Sequence, residues 1–187
     1  VETWFERINR IAGEIGVQAE HYIVSSGIKE IIEGTSIARG DNFKKIYACE
    51  FMYDYNGIIQ WPKFAVNYTA KTQFLFRINK GVLDIDSKSA DRLNGYTPEH
   101  ERRIPFQNMI YIGDGLTDVP CMKLVKVNGG QSIAVYDQAK GKCAAQGLVS
   151  ADRVNCCVPA DYGEGSAMET VVTAIMKKIK AVAEMQS

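Results

Sequence analysis

MIYIGDGLTDVPCMK, residues 109–123, runs four apolar residues into an acid held between two glycines, Gly113-Asp114-Gly115, and a second carboxylate, Asp118, follows four positions later. The apolar run reads as a short strand and Asp118 as the start of the next helix, about one turn on. In an open parallel sheet, ligands gather at the carboxyl ends of strands and the amino ends of the helices that follow. Two carboxylates so placed, with glycines that let the backbone approach closely, suit a hard divalent cation. Magnesium takes one or two carboxylates, several waters and a substrate phosphate. The same residues also suit a plain Gly-Asp-Gly turn followed by an N-capping Asp118.

Outward from this stretch, helical and strand patterns alternate. Residues 2–15 place Trp4, Phe5, Ile8, Ile11, Ala12 and Ile15 on one helical face, and Gly16 ends it. A short strand at 21–24 leads through Ser25-Ser26-Gly27 into a helix reaching Glu33. "KKIYACEFMY", a "DYNG" turn and "IIQWPKFAV" make a hairpin over 44–66. A helix over 69–80, capped by Thr69, buries Phe74, Leu75 and Ile78. Residues 82–107 form a polar, turn-rich insertion with Pro98 and Pro105 as breakers. After the 109–123 stretch, with a helix at 118–125, come a strand at 132–136, a helix at 138–146, a strand near 153–157 and a long amphipathic helix at 165–185. The alternation predicts one α/β domain over 1–187: a mainly parallel sheet covered on both faces, plus one antiparallel hairpin.

Composition narrows the function classes. Twenty-two basic residues balance twenty-two acidic ones, which gives no electrostatic case for nucleic acid or an anionic membrane surface. No apolar run approaches the roughly 20 residues that span a bilayer, so no membrane partner is expected. Five cysteines without a CxxC pair and only two histidines, His21 and His100, form no zinc-ligand pattern. Reduced thiols and a cytoplasmic location are the expectation.

Two further residues fall on the same expected edge. Ser25 follows an apolar strand and precedes a helix, where a hydroxyl beside free backbone N–H groups can hold a phosphate oxygen with Ser26 and Gly27; a plain Ser N-cap has the same spacing. Lys71 and Lys80 bracket one helix, roughly 13 Å apart at 1.5 Å per residue. The amino end of that helix faces the carboxyl edge of the sheet, so Lys71 falls at the site and Lys80 at the far side.

The order Ser25, Lys71, Asp114-x-x-x-Asp118 resembles the haloacid dehalogenase (HAD) superfamily of phosphohydrolases, in its phosphoserine-phosphatase-like branch. "YIVSSG" is similar to the second motif, "AKTQFLFRI" to the third and "IYIGDGLTDVPCM" to the fourth, and the hairpin is similar to one this branch carries. The resemblance covers most of residues 18–172. It implies a three-layer αβα, Rossmann-like core and a magnesium-dependent phosphomonoester hydrolase acting through an aspartyl-phosphate on a small phosphorylated metabolite. It also implies roles: Ser25 on the transferring phosphoryl group, Lys71 neutralising its charge, and Asp114 on magnesium. Asp118 would ligate the metal through water or orient Lys71.

One part of the pattern is missing. The family's first motif, Asp-x-Asp, supplies nucleophile and general acid ahead of the second motif, yet none occurs in the 24 residues before Ser25. "VLDIDSKS" holds Asp84 and Asp86 in a similar string, but after the third motif and inside the insertion. The nucleophile strand and the cap are therefore expected outside this chain, which would be inactive alone. The family's nucleophile strand lies between those ending at Ser25 and Asp114, so either another segment fills its place or the sheet closes up. The alternative function is a non-catalytic module of the same fold that binds phosphate or metal.

Overall fold

Apolar residues three and four apart build α1 (Trp4–Ile15), which stops where Gly16 adopts φ 84°, a left-handed conformation that costs glycine least. The computed structural model describes residues 3–86 and 89–186. Glu2 of the expected first helix and Ser87-Lys88 of the insertion lie outside them. β1 (Tyr22–Ile28), α2 (Lys29–Glu33), α3 (Ser36–Arg39), β2 (Lys45–Tyr53) and β3 (Ile59–Phe64) follow. Then come α4 (Lys71–Lys80), α5 (Ser89–Asn94), β4 (Ile110–Gly113), α6 (Val119–Val127), β5 (Gln131–Tyr136), α7 (Cys143–Ser150), β6 (Cys156–Pro159) and α8 (Ala167–Met185). The chain is a mixed α/β protein with parallel and antiparallel pairing. Among the described residues, no helix is long and apolar enough to cross a membrane.

The strands form two sheets rather than one. β1 pairs with β2 in parallel, and β2 with β3 in antiparallel fashion. β4, β5 and β6 are all parallel, with β5 in the centre. β1 and β4 are thus both edge strands, and no ladder joins them. The expected alternatives, a filled gap or a closed sheet, are both absent among the described residues. Their apolar residues show the consequence: Ile23 and Val24 of β1, and Ile110 and Ile112 of β4, stay half-buried. On the central β5, Ser132, Ile133, Ala134 and Val135 are all buried.

Alternation along β4–β6 feeds two cores. Ile133, Val135 and Val158 pack with Trp4, Ile8, Met168 and Val172 of α1 and α8. Tyr111 and Ala134 pack on the other face with Phe74 and Ile78 of α4 and Met122 and Val125 of α6. Each fully buried large side chain contributes about 1.5–3 kcal/mol. α1 and α8 are joined further by the half-buried pair Arg7 Nε–Glu169 Oε2, 2.6 Å, and by Trp4 against Tyr162 at 5.3 Å. α4 reaches both sheets: Phe74 stacks on Tyr47 of β2 at 4.5 Å and meets Phe64 of β3 edge-on at 5.6 Å, while Phe74 and Ile78 share a core with Tyr111 of β4 and Met122 and Val125 of α6.

Some boundaries differ from the sequence reading. The helix expected at 138–146 begins only at Cys143, because Asp137 Oδ1 accepts the Ala139 N–H at 2.9 Å and makes a turn first. The strand expected near 153–157 runs from Cys156 to Pro159. The hairpin expected over 44–66 forms, closed by Asp54 Oδ1, which accepts N–H groups of Asn56 and Ile58, each at 2.9 Å. Residues 82–107 carry α5 and two single turns of 3₁₀ helix.

Candidate functional site

Asn67, not Thr69, opens α4. Its Oδ1 accepts the Ala70 N–H at 2.8 Å, and the Thr69 hydroxyl donates to the same oxygen at 2.7 Å. The first helical residue, Lys71, is only 5% exposed, so its charge needs a partner nearby. Its Nζ donates to Asp118 Oδ1 at 2.7 Å, across 47 residues of sequence. An ammonium has three donors; the other two of Lys71 find no acceptor among the described residues.

Asp118 is 7% exposed and closes a 3₁₀ turn (Leu116–Asp118) between β4 and α6. Its Oδ1 also accepts from Tyr111 OH at 2.8 Å, and its Oδ2 faces the Gly115 N–H at 3.4 Å. Both oxygens of Asp118 are thus engaged within the protein. The close seat of the carboxylate explains Gly113: a Cβ there would lie 2.8 Å from Cβ, Cγ and Oδ2 of Asp118. Burial, with Cys121 and Asp118 adding to it, pushes the Tyr111 phenol well above its ordinary range, so it stays a donor. Cys121 is fully buried beside it, and burial raises its thiol to about 11.

Asp114 is exposed just past β4 and takes no hydrogen bond among the described residues. Its charge adds to burial in raising the Tyr162 phenol. No group of three or more His, Cys, Asp or Glu side chains among the described residues could hold a metal unaided. A divalent cation here would rest on Asp114, with waters and a substrate oxygen completing its shell, and with Asp118 reached only through water. One free carboxylate at a strand end fits magnesium on those terms.

Ser25 sits differently from the sequence reading. β1 does not stop at Val24 but continues to Ile28, with a break in register between Val24 and Ile28. Ser25 Oγ accepts the Gly27 N–H at 3.0 Å inside that irregular stretch, and α2 starts at Lys29 with no side-chain cap. Ser26 and Gly27 are exposed, and the Ser26 carbonyl faces Cys49 Sγ at 3.4 Å. Lys71, Asp118 and Tyr111 are brought into contact; Ser25 lies within β1 of one sheet and Asp114 just past β4 of the other, and among the described residues neither bonds to any of the three. Lys80 lies at the other end of α4 and donates to the carbonyls of Leu93 and Gly95. Asp84 belongs to no strand and pairs with Lys45 at 2.8 Å. Tyr111 was legible only as one more apolar strand residue. The available signal was a hydroxyl in an otherwise aliphatic run, seven residues before an acid.

Compared with models of known protein families, the chain matches none. It is 35% identical over 122 residues to an uncharacterized protein of Borreliella burgdorferi, an alignment covering 58% of this chain and 40% of that relative. The chain therefore spans about two fifths of the relative's length.

Proposed function

We propose that this chain is the phosphate- and metal-binding part of a magnesium-dependent phosphomonoester hydrolase of the HAD superfamily, in the phosphoserine-phosphatase-like branch. The observation that carries the reading is the buried Lys71–Asp118 pair, 2.7 Å, at the amino ends of α4 and α6. A buried ammonium with one protein acceptor and two open donors is suited to phosphoryl oxygens, whose transfer depends on positioning and charge neutralisation. Asp118 holds the ammonium in place, Ser25 supplies a hydroxyl from the irregular stretch within β1, and Asp114 supplies the exposed carboxylate for magnesium. Bound magnesium would neutralise charge on the substrate phosphate.

The nucleophile is a carboxylate on a strand seated between β1 and β4. Both strands have an unpaired edge and half-buried apolar residues, a setting where a parallel strand gains backbone hydrogen bonds and covers Val24 and Ile112. Its aspartate would attack the phosphorus and break the ester P–O bond, the displaced oxygen leaving as the substrate's alcohol on taking a proton. Water would then hydrolyse the aspartyl-phosphate to inorganic phosphate and the free carboxylate.

The test is hydrolysis of 4-nitrophenyl phosphate with magnesium, by the 187-residue chain and by a form of the protein that also carries an Asp-x-Asp strand. Turnover is expected only in the second. Turnover by the shorter chain would overturn the placement of the nucleophile. Silence from the longer form, with magnesium-dependent phosphate binding intact, would favour the non-catalytic module.

A further inference from the structure

One hydroxyl decides how Lys71 is presented. Tyr111 projects from β4 into the core, flanked in sequence by the aliphatic Ile110 and Ile112. A buried hydroxyl is costly there unless it is bonded. Its O–H donates to Asp118 Oδ1 at 2.8 Å, the same oxygen that takes Lys71 Nζ at 2.7 Å, and the Gly115 N–H faces Oδ2. Three donors from β4, α4 and the intervening turn thus fix the plane of one carboxylate.

We infer that Tyr111 is a positioning residue: its phenol proton, donated to Asp118 Oδ1, fixes the carboxylate that holds the Lys71 ammonium and so sets where the remaining ammonium donors meet an anion. A carboxylate oxygen accepts about two donors. With the hydroxyl gone, Asp118 keeps only the Lys71 ammonium and the Gly115 N–H, its carboxylate plane is free to turn, and the ammonium shifts with it away from the position that meets the anion. The inference rests on the phosphate-binding reading above and names the residue that tunes it.

The test compares wild type, Tyr111→Phe, Lys71→Met and their double variant, with inorganic phosphate and magnesium chloride as the calorimetric probe. Tyr111→Phe should bind phosphate roughly tenfold more weakly, in line with a lost hydrogen bond to a charged group. Lys71→Met should abolish binding, and the second substitution should then add nothing. Val125→Ala, which trims an equally buried neighbour in the same core and has no polar group near the Tyr111 hydroxyl, should keep wild-type affinity; an equal loss there would make Tyr111 mere packing and overturn the proposal.

A second readout does not need phosphate. In 1H–15N spectra of lysine ammonium groups, the Lys71 signal should move in Tyr111→Phe and stay in Val125→Ala. If wild type binds no phosphate, the functional reading falls, and the positioning role is judged on this signal alone. An unmoved Lys71 signal overturns it.

Discussion

Replacing Lys71 with methionine keeps most of the side-chain volume and removes the charge. Asp118 would remain 7% exposed, with the Tyr111 hydroxyl and the Gly115 N–H as its remaining donors. Removing one partner of a buried ion pair costs about 3–5 kcal/mol, because the other charge is left uncompensated. Two surviving donors put Lys71→Met at the lower end, about 3 kcal/mol. For a chain of this size 1 kcal/mol shifts Tm by about 2–4 °C, so a fall of about 6–12 °C is expected. Asp118→Asn should cost a similar amount by leaving Lys71 without its anion. The double variant should lose less than the sum of the two by more than about 1 kcal/mol, since the pair is coupled. Urea and thermal denaturation at pH 7 measure all three, and the loss should barely respond to salt because the pair is buried. A Lys71→Met protein within about 0.5 kcal/mol of wild type would refute the buried pair, and with it the basis of the phosphate site.

Gly113→Ala should destabilise by about 1–3 kcal/mol through overpacking and weaken phosphate binding, because the new methyl must displace Asp118 from 2.8 Å; calorimetry and melting report the two effects separately. Burial holds the His21 imidazole below its usual 6.5, so the unfolded chain takes up the proton first and stability falls as pH drops through about 6.5. Melting curves between pH 7.5 and 5 should show that slope, and His21→Gln should flatten it; Glu20, whose carboxyl is held low chiefly by Arg103, adds its own loss only in more acid solution. Asp84→Asn should leave melting and phosphate binding nearly unchanged, since Asp84 is exposed and its pair with Lys45 lies at the surface; a loss of binding would return it to candidacy as the nucleophile.

The placement of Lys71 was legible because helix phase and sheet direction are both short-range inferences. The apolar positions of 69–80 fix which face is buried, and the strand that follows fixes which end meets the sheet edge. Asp118 as the residue that orients Lys71 came only from the resemblance to the HAD motifs, as one of two roles that it implied. Ser25 was misplaced by one element, since a strand entering Ser-Ser-Gly has the same pattern whether it stops there or continues through a bulge to Ile28. The turn held by Asp137 delayed α7 by a competing side-chain bond that periodicity does not register. Division into two sheets was the least legible feature. Which strands pair is set by contacts far apart in sequence, and the apolar runs of β1 and β4 read as interior strands when both are edges.

That division has a consequence for the order in which the molecule opens. With no ladder between β1 and β4, the β1–β2–β3 sheet is tied to β4–β5–β6 through helices: α4, by Phe74 on Tyr47 and Lys71 on Asp118, and α1, whose Phe5 packs on His21 and Phe43 while its Trp4 and Ile8 pack with β5. Two units coupled through helices and not through a shared ladder exchange their amide protons as separate cooperative blocks. Amides of β5, paired on both sides, should be the slowest to exchange in the chain, and those of β1 and β3 should exchange well before global unfolding. A strand bound between β1 and β4 would merge the two blocks into one, so a uniform slowing of exchange across β1 would register its arrival without any assay of catalysis.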